Sequence, residues 1–288
     1  MTRWRLGVIG GSGLYELGGL ENRRWSEVET PWGAPSDAIL TGELDGVDMA
    51  FLPRHGRGHS IPPGDLNARA NIAALKQLGC TDLLSISAVG SLQEALSPGT
   101  FVVVDQYIDR TVARPSSFFG PGIVAHVSLA DPVCPRLSDL AFRAGQASGA
   151  TMVQGGTYVA MEGPQFSTRA ESRMFRSWGC DVIGMTGMPE ARLAREAELP
   201  YACVGMVTDY DCWRPHTADV QVTDVLAVLK SNAATARGLL RTLVRSLPER
   251  REPSPIDTTL DLAVITAPNL WEPTLKAKLA TVCPRKFA

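Results

Sequence analysis

The 288 residues carry 28 Lys and Arg against 30 Asp and Glu, a formal net charge of −2 that leaves no basic footprint for a nucleic-acid partner. An apolar fraction of 44% and a charged fraction of 20% exclude disorder as the main state. No window approaches the roughly 18 apolar residues of a membrane span, and Met1-Thr-Arg-Trp-Arg runs into a glycine-rich turn too soon for a secretory leader. A soluble, cytoplasmic chain with no membrane partner is expected. In chain order, the apolar runs Leu6–Ile9, Val47–Leu52, Leu83–Ala88, Phe101–Val104, Tyr158–Met161, Val182–Met185 and Ala202–Val207 read as strands, each closed by glycine, proline or polar residues. Between them Leu66–Leu78, Arg136–Ala147, Arg169–Trp178 and Pro189–Ala197 read as helices, the third opened by Thr168 at capping-box spacing from Glu171. A longer helix begins after Thr223, with one apolar stripe running from Val225 to Leu247. The strands are continuously apolar rather than alternating, so helices should cover both faces of the sheet. The expected architecture is a three-layer α/β/α single domain.

Residues 1–247 are expected to form the catalytic domain, and 248–288 a linker with a C-terminal extension. Pro248–Ile256 is rich in proline and charge and reads as the linker, followed by a short strand over Asp261–Thr266 and a helix over Trp271–Val282. That tail is too small for its own core, so it should pack on the domain or on a neighbouring subunit. The six cysteines, at 80, 134, 180, 203, 212 and 283, form no CxxC pair and read as small buried residues.

Five strand ends carry candidate chemistry. Gly10-Gly11-Ser12-Gly13 fails the GxGxxG test and lacks a GK[ST]; it is an anion-holding loop or a plain tight turn. Pro53-Arg-His-Gly-Arg-Gly-His59 offers the Arg54 donor fork and His55 to a phosphate, or else is a basic surface loop; its glycines argue against a helical metal pair. Ser85-Ile-Ser-Ala-Val-Gly-Ser91 ends a strand in small hydroxylated residues, where glycine allows a ligand to approach the backbone. In Met161-Glu-Gly-Pro-Gln-Phe-Ser-Thr168, Phe166 can stack on a flat or sugar-like ligand and Glu162 can accept from a hydroxyl, or the segment is a capped helix with a packed Phe. In Val207-Thr-Asp-Tyr-Asp-Cys-Trp213 an extended backbone would put Asp209 and Asp211 on one face, where repulsion and burial raise a pKa. Such a pair serves as an acid, a metal ligand or a receptor for amino groups; a solvated turn is the plain alternative, and metal lacks a third partner. Ligands of open α/β sheets gather at such carboxyl ends.

Taken in order, VIGGSGL, PRHGRGH, SISAVGS, IDRT, MEGPQFSTRAES, VIGMTGMPE and TDYDCW resemble the methylthioadenosine phosphorylases, a branch of the trimeric purine nucleoside phosphorylase family, from about Leu6 to Leu247. The resemblance implies a mixed, curved central β-sheet and a homotrimer with active sites shared between subunits. It also implies phosphorolysis of 5′-methylthioadenosine to adenine and 5-methylthioribose 1-phosphate, a step of methionine and purine salvage. It assigns phosphate to Ser12, Arg54, His55, Ser87, the Ala88 backbone and Thr186. Met185 would underlie the ribose and Phe166 line the sugar or base pocket, while Ser167, Asp209 and Asp211 would hold the purine. His126, from a neighbouring subunit, would line the 5′ pocket with Val222 and Leu226. No metal or organic cofactor is implied; inorganic phosphate is the co-substrate. Adenine leaves more readily when N7 is protonated, so a buried Asp209 suits a general acid, with Asp211 accepting from N6 or shaping the pair. Two carboxylates suit a 6-amino purine better than the 6-oxo group of inosine, guanosine or methylthioinosine, whose phosphorolysis is the nearest alternative. A non-catalytic nucleotide-binding, Rossmann-like protein is the alternative of a different class.

Overall fold

Apolar side chains of both parities along the central strands dictate the layering. In a computed structural model describing residues 3–11, 14, 17–214 and 222–288, β1 (Arg5–Gly10) sends Leu6 and Val8 to one face and Ile9 to the other. The strand β2 (Glu21–Ser26) pairs antiparallel with β3 (Ile39–Leu44), which pairs antiparallel with β4 (Val47–Pro53). Parallel pairing then joins β4 to β1 and β1 to the long β5 (Asp82–Ser91). At β5 the sheet forks. Its last residues pair antiparallel with β10 (Val182–Gly184), which leads in parallel through β9 (Thr157–Met161) to β7 (Gln106–Arg110). Along its length β5 also pairs parallel with β11 (Tyr201–Asp209), which leads to β6 (Phe101–Val104) and β8 (Met152–Gln154). Among the described residues the result is one mixed sheet of eleven strands.

One face is covered by α1 (Ala68–Gln77) and α4 (Gly187–Glu196), the other by α2 (Pro135–Ala147) and α5 (Val222–Ser246). Cys203 and Val207 of β11 join the first layer, and Ala202, Val204 and Met206 the second. A smaller cluster of Leu92, Val159, Phe175, Cys180 and Ile183 seats α3 (Arg169–Ser177), whose Thr168–Glu171 capping box is present. This is the three-layer α/β/α arrangement with a mixed central sheet. No described helix is long and apolar enough to cross a membrane.

The tail runs onto the same core. Arg251 is buried, pairs with Asp257 at 2.6 Å and also holds Asp82, while Trp4 Nε1 donates to the Pro248 carbonyl at 2.9 Å. Leu279 and Val282 of α6 (Pro273–Val282) and Phe287 of α7 (Pro284–Phe287) enter the α1/α4 layer. The strand expected over Asp261–Thr266 is absent: a 3-10 helix spans Pro255–Asp261, and Val264 makes only an isolated bridge to Ala125. Its apolar residues face two ways, with Ala263 buried and Leu262 fully exposed, so no ladder forms. Four strands escaped the sequence reading. Of these, β2 has no buried residue and pairs only with β3, so burial gave its sequence no apolar mark.

Candidate active site

The carboxyl ends of β1, β4, β5, β9, β10 and β11 surround a cavity of about 900 Å³. Arg54, His55, Ser87, Ala88, Phe166, Met185, Thr186, Asp209 and Asp211 all line it. Ser167 stands one bond behind, its hydroxyl donating to Asp211 at 2.7 and 2.8 Å. Ser12 lies outside the described residues, although Gly11 and Leu14 on either side of it line the cavity. Val222 and Leu226 belong to α5, but their side chains are outside what is described. His126 is exposed and does not line the cavity of its own chain; its backbone N–H donates to Ala263 at 2.9 Å.

At the β4 end Arg54 is 2% exposed and its fork is already engaged. Nε donates to Glu190 Oε1 at 2.6 Å, and Nη2 reaches Ser85 Oγ, the Ile9 carbonyl and Glu190 Oε2 at 2.7, 3.2 and 3.2 Å. Nη1 donates to the Ile86 carbonyl at 3.0 Å, which leaves one Nη1 proton without a partner among the described residues. Burial works to lower the Arg54 pKa, and the Glu190 charge and hydrogen bond outweigh it and raise it.

His55 is pushed down to about 4, by burial first and then by the Arg54 and His59 charges, so it is neutral near pH 7. A carbonyl only accepts, so the 2.9 Å contact between Nδ1 and the Ile61 carbonyl puts the ring proton on Nδ1. Nε2 is then an acceptor. Where the sequence suggested a donor to phosphate, the neutral ring in this arrangement offers a lone pair, suited to the hydroxyl of a hydrogen phosphate. Ser87 and Thr186 face each other across the cavity floor with their hydroxyls 3.1 Å apart. The Thr186 and Gly187 backbone N–H groups donate to the buried Tyr158 hydroxyl at 3.3 and 3.4 Å, fixing the entry to α4.

The two aspartates meet by a turn rather than by strand alternation. β11 ends at Asp209, and Asp211 lies in the left-handed region at φ 50°. Asp209 Oδ1 accepts the Asp211 N–H at 2.7 Å and Oδ2 accepts the Thr208 hydroxyl at 2.7 Å. Burial raises the Asp209 pKa above the usual carboxylate range, the Asp211 charge adding to it against those two hydrogen bonds. Gly90 makes room: a Cβ there would stand 3.0 Å from Asp209 Oδ1 and from Ile183.

The profile of the phosphorylase superfamily matches residues 5–245. The S-methyl-5′-thioadenosine phosphorylase of Cereibacter sphaeroides is 60% identical over 282 residues, covering 97% of each chain, and that of Rhodospirillum rubrum is 55% identical over 97% of this chain and 96% of its own. The chain belongs to the phosphorylase superfamily, in its methylthioadenosine phosphorylase branch. The crystal structure of a methylthioadenosine phosphorylase sourced from an Antarctic soil metagenomic library superposes with a TM-score of 0.92 at 46% identity, covering 99% of this chain and 100% of that one. A methylthioadenosine phosphorylase from Schistosoma mansoni in complex with adenine gives 0.82 at 35% identity, over 97% and 98%.

Against this phosphorylase framework, Glu162 takes a different place from the one read in sequence. Its carboxylate accepts from Val112 N–H at 2.5 Å and from Arg114 Nε at 2.9 Å, so it is spent on the protein and does not line the cavity. Sequence reasoning missed Arg114, whose side chain is 3% exposed and also donates to the carbonyls of Met161, Glu162, Met185 and Met188. It missed Glu190 too, although the quoted VIGMTGMPE motif contains it; a glutamate on a helix expected to be packed was the available signal. Lys230, Ala233 and Arg237 of α5 line the cavity at helical spacing beyond Leu226. Among the described residues no group of three His, Cys, Asp or Glu side chains is placed to hold a metal ion.

Proposed function

We propose that the chain catalyses the phosphorolysis of 5′-methylthioadenosine to adenine and 5-methylthioribose 1-phosphate. The observation that carries this reading is a single cavity lined by both Arg54, His55, Ser87 and Thr186, a set of donors and hydroxyls suited to phosphate, and Asp209, whose carboxyl pKa is raised by burial. Phosphate, held by the free Arg54 N–H, the hydroxyls and the Ala88 backbone, attacks C1′ with an oxygen lone pair as the C1′–N9 bond breaks. The bond electrons pass into the purine, and Asp209 delivers its proton to N7. Positive charge develops on the sugar between the two, over Met185 and beside Phe166, where the phosphate charge stabilises it. Asp211, oriented by Ser167, accepts from the N6 amino group.

The site residues named here, with Ser12 on phosphate and Val222, Leu226 and a neighbour's His126 on the 5′ group, are part of the proposal. So are the homotrimer, the cytoplasmic setting, the place in methionine and purine salvage, and catalysis with no metal or organic cofactor. Support for the branch comes from the identities of 55–60% to enzymes bearing that name. A substrate panel tests it. With phosphate, methylthioadenosine should release adenine faster than adenosine does, and inosine should be the poorest. Faster cleavage of inosine would favour the 6-oxopurine alternative, and no base release from any of the three would favour a non-catalytic binder.

A further inference from the structure

An arginine in an anion site normally supplies both charge and a two-pronged donor. Here the prongs are turned inward. Arg54 and Glu190 are 2% and 3% exposed, and Nε and Nη2 of Arg54 straddle the two Glu190 oxygens. Ser85 and Tyr201 hydroxyls both donate to Glu190 Oε2 at 3.2 Å, so the carboxylate is fixed on every side and is no flexible counter-ion. Beside the pair, His55 spends its one proton on the Ile61 carbonyl.

We propose that Glu190 is a positioning residue that cancels the Arg54 charge, so that the anion meets an electrically balanced cradle and a single N–H of Arg54 rather than a salt bridge. The inference rests on the reading of this end of the cavity as the phosphate subsite. Its chemical sense lies in differential binding. A full guanidinium charge would stabilise phosphate, and the sugar 1-phosphate product, before and after reaction as much as during it. With Glu190 in place the anion is held by hydrogen bonds, and its negative charge remains available to the cationic sugar.

The test is titration calorimetry of inorganic phosphate onto the full chain, with kcat measured in parallel and folding checked by circular dichroism and Tm. Glu190→Gln keeps the shape and removes the charge, so phosphate should bind roughly tenfold tighter while kcat falls because product is retained. A Glu190 that merely braces the fold would give weaker phosphate binding, and that result overturns the proposal. The second arm does not depend on this variant. Arg54→Gln leaves a buried carboxylate beside the anion and should weaken phosphate by at least about a hundredfold. Adding Glu190→Gln to it should recover tenfold or more of that loss, because the repelling charge is gone. A double variant no better than Arg54→Gln also overturns the proposal. Failure of phosphate to bind the unaltered chain would instead take down the reading of the subsite itself.

Discussion

In the proposed reaction Asp209 is the acid that protonates the leaving purine, and its environment sets the sign of the expected pH dependence. Burial, with the Asp211 charge, raises its pKa, so the proton needed for purine departure is kept to higher pH than on an ordinary carboxyl. As general acid it works while protonated, and kcat should therefore fall as pH rises through that raised pKa. Asp209→Asn keeps the shape but carries no transferable proton; kcat is expected to drop by roughly 10²–10⁴ and that limb of the pH profile to vanish. A variant with normal kcat and an unchanged profile would make the carboxylate structural. At this scale the sequence carried residue types well: nine of the proposed ligands line one cavity. It did not carry their couplings. Arg54 and Glu190 are 136 positions apart, and nothing in PRHGRGH shows that the fork is already occupied. Likewise the TDYDCW spacing brought two carboxylates together, but it shows neither the left-handed turn at Asp211 nor the hydrogen bond its carboxylate accepts from Ser167, 44 positions away.

Between strands and helices, Arg114 ties three segments into one wall. Its guanidinium reaches the carbonyls of Met161 and Glu162 at the end of β9 and of Met185 and Met188 about the start of α4. A lysine has no planar fork and cannot span these acceptors. Arg114→Lys should thus lower Tm and raise the nucleoside KM more than the phosphate KM, since Met185 is the proposed floor of the sugar subsite; equal rises would point to a general loss of order. The C-terminal helices make a second element-scale case. Phe287 is 1% exposed and meets the Trp271 ring at 4.9 Å and the Phe119 ring at 6.0 Å. Phe287→Ala is expected to cost about 3–5 kcal/mol in denaturant unfolding, as for a large core truncation, and a loss below 1 kcal/mol would show the tail to be a mere appendage. Elements with apolar runs were legible, α2 and β6 to within a residue or not at all displaced. Elements held mainly by pairing were not, as β2 shows, with no buried side chain.

Across the whole molecule, a buried glutamate links the loop before the sheet's far side to the tail. Glu196 accepts from Ser117 Oγ at 2.8 Å and Phe118 N–H at 2.7 Å, while its own carbonyl accepts from Cys283 Sγ. Burial, against those two hydrogen bonds, raises its pKa from 4.5 to about 7. A raised folded-state pKa means the stabilisation is full below 4.5 and is lost as pH climbs through about 7. The loss from this one group amounts to about 3 kcal/mol, so Tm should decline between pH 5 and 8. Glu196→Gln should flatten that decline, and a slope equal to that of the unaltered chain would refute the assignment. The three-layer plan was legible because both faces of the strands are apolar. The fork of the sheet at β5 was not, because pairing β10 and β11 to one strand is a matter of register, which composition does not record.

The proposed reaction in this cavity moves a sugar from a purine to phosphate. Phosphorus NMR of a reaction containing methylthioadenosine and inorganic phosphate, with adenine quantified in the same tube, measures it most directly. One phosphate should be consumed, and one sugar 1-phosphate formed, for every adenine released, with no adenine when phosphate is omitted. Adenine released with the phosphate signal unchanged, and free methylthioribose as the second product, would mean hydrolysis instead of phosphorolysis.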